Sequence, residues 1–338
     1  MKTRSIACLF LALAGALAGC DDSSSTKKPN DLGLCDPDDA TGSNSRFLVI
    51  SALDTIKEDK DGNLEGFNLD GTAKQTCECT TSEDENGNQV SNCGDYTSAE
   101  GTTGIDNQFS RLDQEVGEVL NLSGEIKKNI GEGDLIVLVS IDGLDDKTIT
   151  STTNDDCVAV EIYLGYVPNG GPPELKDGEL VAGQTFDIRD TSFTDGMAMV
   201  RVGGAIENGR LIAGGADIPL SLPVGSATID FVIRGGRFDA KFDGDSLKGG
   251  LIGGFIDVEE LIDSVESIEA YASLGAILRP VLNKFADMNP GADKKCTAVS
   301  AALTFDAISA VRGDVGTRPD YDAGDSDAGD SDAGVDGG

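Results

Sequence analysis

Apolar side chains recur along this chain with two periods, and the shorter one dominates. Runs of alternating or β-branched residues at Phe47 to Leu53 (FLVISAL), Asp134 to Leu144 (DLIVLVSIDGL), Val158 to Val167 (VAVEIYLGYV), Gln184 to Arg189 and Met197 to Val202 predict short strands. A half-buried strand turns successive side chains to opposite faces, so this alternation is its signature. Inside AIENGRLIAGG, Asn208-Gly209 suits a two-residue type I′ hairpin, since both residues tolerate the positive φ the turn requires. In ATIDFVIRGGRFDAKF, Ile229, Phe231 and Ile233 share one face while Asp230 and Arg234 keep the polar alternation. Short strands joined by tight turns pair antiparallel, as a meander or a sandwich.

Two segments change to helical period. From Ile105 to Ile130 the apolar residues Ile105, Phe109, Leu112, Val116, Val119, Ile126 and Ile130 fall three and four apart, with Asp106 placed to cap the start. The second stripe runs from about Asp257 to Asp287 through Val258, Leu261, Ile262, Val265, Ile268, Ile277, Leu278, Val281, Leu282 and Phe285, and Pro280 is expected to break or kink it. Neither has the basic polar face of a membrane-surface helix, so both are expected to pack on the sheet. The fold class is therefore α+β, mainly antiparallel β, with two amphipathic helices.

The ends of the chain follow other rules. Lys2 and Arg4 precede the apolar run Ile6 to Ala18, which is too short for a membrane-spanning helix of ~20 residues and reads as an export signal. It ends in Leu17-Ala18-Gly19-Cys20, a lipobox. Residues 1–19 are the expected signal peptide, and the stretch resembles that of bacterial lipoproteins, which implies a diacylglycerol on the Cys20 sulfur and a further, palmitate-type acyl chain on the new amino terminus. At ~0.8 kcal/mol per buried CH₂, several acyl chains hold a protein on a membrane. Asp21 and Asp22 resemble the enteric inner-membrane retention signal; sorting rules differ between lineages, which leaves inner and outer membrane both open. Residues 20–46 are too polar to bury a core and read as a flexible tether holding the folded part roughly 25–30 Å from the bilayer. Residues 47–312 form one β-rich domain, irregular and cysteine-bearing over 47–104. Residues 313–338, with eight Asp against one Arg and the DAGDS repeat from Asp322 and Asp327, form a disordered tail.

Charge narrows the partners. The chain carries 60 acidic and 26 basic residues, and loss of Lys2 and Arg4 with the signal takes its net charge from −34 to about −36. Such a field repels nucleic acid and favours cations or basic proteins, leaving the membrane as a partner through Cys20 alone. Beyond the anchor stand Cys35, Cys77, Cys79, Cys93, Cys157 and Cys296, which in an exported chain read as up to three disulfides with fifteen pairings open. Cys77 and Cys79 are too close to pair with each other; Cys93, across TTSEDENGNQVSN, is a natural partner for one of them. Metal thiolates are disfavoured because there is no histidine and no paired C-x₂-C spacing.

Candidate chemistry is sparse. Asp59, Asp61, Asn63 and Glu65 alternate oxygen donors along EDKDGNLEGFNLDG, and one loop could wrap them around a calcium ion. It resembles the D-x-D-G-N loops of calcium-binding extracellular repeats, but Leu64 replaces the glycine of an EF-hand and no glutamate stands at its twelfth position. An acidic turn is the plainer account. Absence of histidine removes the imidazole base of hydrolase triads and the H-E-x-x-H zinc site. No nucleophile elbow or phosphate loop occurs, and Gly203-Gly204, Gly214-Gly215 and Gly249-Gly250 read as turn and bulge glycines. Carboxylate-pair glycoside hydrolysis survives by abundance of Asp and Glu, against the absence of tryptophan platforms. The expectation is a protein that is not an enzyme and has no resident cofactor beyond that calcium loop.

The linear order DGNLEGFNLDG, GTTGIDNQFSRL, VLVSIDGLDD, NDDCVAVEIYLGYVP and GGRFDAKFDGDSLKGGLIGGFIDVEELI, with the Asp-Ala-Gly tail, resembles a set of uncharacterised exported lipoproteins of myxobacteria and related deltaproteobacteria. The resemblance implies export and a lipid anchor, and transfers no catalytic or binding residue. Two functions follow as expectations. One is a cell-envelope lipoprotein with a non-enzymatic binding or structural role, its folded domain in the periplasm or at the cell surface. The other is a calcium-assisted glycan-binding or carbohydrate-active module.

Overall fold

A computed structural model of the chain describes residues 32–73, 76–83, 89–224, 227–269 and 271–319. The signal, Cys20, the start of the tether and the tail from residue 320 onward lie outside the described residues, as do the side chains of Val116 and Val119.

Eight strands close on themselves: β1 (Asn44–Thr55), β2 (Val137–Leu144), β3 (Asp155–Tyr166), β4 (Val200–Glu207), β5 (Arg210–Val224), β6 (Ala227–Asp243), β7 (Ser246–Asp257) and β8 (Cys296–Ser309). Each pairs antiparallel with the next, and β8 returns to β1 with Phe305 opposite Leu53, giving an up-and-down barrel. The meander is thus closed, and no sandwich forms. Closure gives each of the eight strands a partner on both sides, which removes the two open edges a flat meander would have. At the β4–β5 hairpin Glu207 faces Arg210 and Asn208 and Gly209 take φ of 51° and 72°, the double left-handed turn expected from Asn-Gly.

The bore is filled. Cross-strand partners Val139, Ile162 and Val200, and further round Ala213, Phe238 and Ile252, are buried members of one apolar cluster. Phe238 and Phe305 meet edge-on with ring centroids 6.1 Å apart. Gly250 lies beneath that second ring, where an added Cβ would stand 2.5 Å from it. An eight-stranded barrel is just wide enough for its own side chains, and here they occupy it. Outward positions carry charge: Arg237, Asp239 and Lys241 alternate with buried Phe238 and Ala240 on β6, and Arg210 on β5 pairs with Asp239. This order is the reverse of the apolar-out pattern of a membrane-spanning barrel. Among the described residues no helix is long and apolar enough to cross a membrane.

Four helices, not two, accompany the barrel among the described residues: α1 (Phe109–Leu120), α2 (Leu122–Glu132), α3 (Val258–Ser267) and α4 (Gly275–Phe285). The first stripe breaks at Asn121, which adopts a left-handed φ of 45°. The second breaks between Ser267 and Gly275, ahead of Pro280, which sits inside α4 without ending it. Asp106 does not cap α1; its carboxylate accepts the backbone N–H groups of Leu69 and Asp70 instead. Ile262, Leu282 and Phe285 from α3 and α4 join Leu112 and Val299 in a second, smaller core.

Both ends of the described chain are fastened to the barrel. Cys35 is bonded to Cys157 on β3, Asp38 pairs with Arg201 on β4, and β1 begins at Asn44. Residues 32–46, polar enough to read as tether, are therefore docked, by a disulfide, an ion pair and main-chain pairing that begins with Gly42 N–H on Gly143 O. Past β8, Val311–Gly316 runs parallel to Thr185–Arg189, whose Phe186 and Ile188 are fully buried, and Arg318 Nη1 lies 2.7 Å from Asp134. The chain thus remains part of the sheet beyond Gly313, where composition alone places the tail.

Candidate functional site

The irregular section lies against the outside of β6, β7 and β8. Leu64, Tyr96 and Ile105 pack with Ala302, and Arg237 on β6 donates to the carbonyls of Asn68 at 2.7 Å and Leu69 at 3.2 Å. Its attachment follows from one local fact. β1 ends at Thr55 opposite Leu303, and Met288–Pro290 pairs with β8 only from Cys296 to Ala298, so β8 has a free edge on that side between Ala298 and Leu303. Side chains cover it: Asn107 Oδ1 accepts from Ala302 N–H at 3.1 Å, and Asp287 Oδ1 accepts from Ser300 N–H at 2.7 Å. Ser300 Oγ donates to Asp287 Oδ2 at 2.5 Å and accepts from Gln108 N–H at 2.9 Å. Asn107 Nδ2 donates to Glu65 O at 3.1 Å, and Gln108 Nε2 to Gly94 O at 2.8 Å.

The result is a buried polar seam in which Asp106, Asn107, Gln108, Ser110, Asp287 and Ser300 are all nearly inaccessible to solvent. Burial pushes the Asp287 carboxyl up to about 8 against the opposing Ser300 bonds, with the Asp106 charge adding to the rise. Burial likewise raises Asp106 to about 7, opposed by the Leu69 N–H and reinforced by the charges of Asp70 and Asp95. Burial also raises the Tyr96 phenol. Two acids with raised pKa beside one another are a form catalytic sites use. Here their oxygens are engaged by main-chain and serine donors, as a structural clamp requires. Replacing Asn107 with Leu strands the Ala302 N–H and the Glu65 carbonyl in a dry site, and is expected to lower unfolding free energy by about 2–4 kcal/mol in denaturant titration. A loss below about 0.5 kcal/mol would show that the seam does not hold the section in place.

The six cysteines form three disulfides, Cys35–Cys157, Cys77–Cys296 and Cys79–Cys93. The last crosses the polar hairpin, and the other two join residues 122 and 219 positions apart. Cys93 and Cys296 are buried in the second core beside Leu112 and Phe285.

The Asp59 loop is an Asx turn. Asp59 Oδ1 accepts the N–H of Asp61 at 2.8 Å and of Asn63 at 2.9 Å, and Asn63 Nδ2 donates to Asp59 Oδ2 at 3.0 Å. These bonds hold the Asp59 carboxyl below its usual range. Asp61 turns to Lys60, and Glu65 Oε1 caps Ala99 N–H at 3.1 Å. Asp59, Asp61 and Asn63 are thus adjacent, whereas Glu65 is engaged elsewhere. Among the described residues the one group of three or more potential metal-binding side chains with converging ligand atoms is made of cysteines.

Two surface concavities have no sequence signal, because their walls come from distant segments. A groove of about 420 Å³ lies between α2, the Leu175–Leu180 turn, β1 and β8, with Lys127, Lys248, Asp54 and Asp306 around Leu53 and Ile308. An acidic cleft of about 310 Å³ gathers Asp39, Asp145, Asp155 and Asp156 beside Cys157. Within it the Asp155 carboxylate already accepts the N–H groups of Asp145 and Cys157 at 2.9 and 3.2 Å.

The fold defines the class: a filled, closed, eight-stranded up-and-down barrel wearing a disulfide-bonded outer layer. In comparison with known proteins the chain matches no protein-family model, no curated protein and no solved structure.

Proposed function

We propose that this is a cell-envelope lipoprotein, anchored through acylated Cys20, that acts by binding through the outside of its barrel and not by catalysis. The lipobox Leu17-Ala18-Gly19-Cys20 after a short apolar run carries the reading. The filled bore supports it, since a barrel packed with its own Val, Ile and Phe side chains leaves ligands only the exterior. That exterior belongs to a chain with a net charge of −34, so the partner class it favours is cationic: a basic protein segment or a polyvalent cation.

The test is acylation and fractionation in a Gram-negative host. An alkyne-palmitate label is expected on the wild-type chain and absent from Cys20→Ser, which should move to the soluble fraction. Membrane retention of Cys20→Ser after a high-salt wash would overturn the anchor.

A further inference from the structure

Two of the disulfides are neighbours. The Sγ atoms of Cys79, Cys93 and Cys296 all lie within 4.8 Å of one another, and Cys77 Sγ, outside that group, is bonded to that of Cys296, so the fourth sulfur stands one bond away from the other three. Main-chain contacts independent of sulfur chemistry hold them there. Glu78 N–H donates to Lys294 O at 2.8 Å, between Cys77 and Cys79 on one side and just ahead of Cys296 on the other. Asn92 N–H donates to Thr80 O at 3.0 Å, beside Cys93 and Cys79, and Cys296 itself lies in register with Pro290. The sulfurs would stay side by side if both bonds were opened.

We propose that the reduced chain binds one soft divalent cation of the zinc class as a tetrathiolate of Cys77, Cys79, Cys93 and Cys296. Tetrahedral zinc has Zn–S bonds of about 2.3 Å, which sets its sulfurs about 3.8 Å apart. That spacing lies inside the separation already present among Cys79, Cys93 and Cys296. Leu112, Leu282 and Phe285 pack beside the buried Cys93 and Cys296, while Cys77 and Cys79 are half-buried.

The chemistry balances with an external dithiol. Each of two dithiols attacks one disulfide, the S–S bond breaks, the protein gains two thiols, and the dithiol closes to its own disulfide. The four thiols then release their protons to solvent as the cation binds. The third bridge, Cys35–Cys157, stands on the far β3–β4 wall with no second sulfur pair beside it and contributes nothing to the site.

The experiment uses the full chain in detergent, reduced under argon and titrated with cobalt(II) as the spectroscopic substitute for zinc. Expected are one cobalt per chain, the absorption of tetrahedral sulfur coordination, and zinc-dependent shielding of Cys77, Cys79, Cys93 and Cys296 from alkylation, with Cys35 and Cys157 still modified. The shielding is read on the wild-type chain by peptide mapping and needs no variant. Cys35→Ser/Cys157→Ser should keep the spectrum and Cys79→Ser/Cys93→Ser should lose it. Octahedral cobalt only, or alkylation of all six cysteines at equal rates with zinc present, would overturn the proposal.

Discussion

Between about pH 4 and pH 9 the protein is expected to lose stability as pH rises, and Asp287→Asn to lose much less of it. The sign follows from the direction in which two carboxyls are displaced. Asp287 and Asp106 ionise at about 8 and about 7 in the folded chain, against 3.8 for an unperturbed aspartate. In that window the folded state keeps protons that the unfolded state has released, so unfolding becomes easier with each step upward in pH. The contribution is complete below the unfolded pKa and gone once pH has passed the folded one. Each tenfold change in proton affinity is worth about 1.4 kcal/mol, so the two displacements together set an upper bound of about 10 kcal/mol on what the pair can contribute across the window.

General acidity works in the same direction, since repulsion among the chain's 60 acidic side chains also grows with pH, and the variant separates the two. Asparagine keeps an oxygen for the Ser300 N–H and offers its amide to Ser300 Oγ, so geometry is retained while the buried charge is removed. Urea titrations at intervals across the range give the slope directly. A wild-type profile that rises with pH, or an Asp287→Asn slope equal to wild type, would contradict the assignment.

Phe305→Ala should cost about 3–5 kcal/mol, as expected for emptying an aromatic position in a packed core. Phe305 is 3 % exposed, lies edge-on to Phe238 and covers Gly250, a position with no side chain to move into the vacated space. The midpoint of a denaturant titration should fall with an unchanged m-value. A loss under about 1 kcal/mol would mean that the bore already has room for a ligand, and the exterior-binding reading would fail with it.

The sequence shows the meander but not its closure, and two strands explain why. SLKGGLIGGFID of β7 is glycine-rich and CTAVSAALTFDAIS of β8 is alanine-rich, so neither presents the β-branched alternation that marks β2 or β3. Both are covered on two sides, by the bore and by the irregular section, and small residues are what that position admits. A Cβ at Gly253 would stand 2.6 Å from Ala301 O and 3.0 Å from the Phe67 ring. The helical stripes are legible, whereas their interruptions are not, because a left-handed Asn121 leaves the three-four spacing intact.

The seam escapes sequence reasoning for a related reason. Asp106, Asn107 and Gln108 look like the polar lead-in to a helix, and only the early departure of β1 from β8 makes them the acceptors and donors of a dry interface. Three adjacent polar residues directly ahead of an apolar stripe are the one local hint. The Cys79–Cys93 bridge follows from proximity along the chain. The two long-range bridges depend on closure of the barrel and have no local sign.

The Cys35–Cys157 bond has a mechanical consequence. A pull arriving from the N-terminal side would, without it, enter the barrel at Asn44 and peel β1 from β2 and β8 one hydrogen bond at a time. With it, the load passes through a covalent crosslink into β3, which is flanked by β2 and β4, and β1 is left slack. Rupture then requires strands to shear past one another instead of unzipping. If the domain is held through acylated Cys20 as proposed, that single bridge separates the strain on the leash from the integrity of the fold.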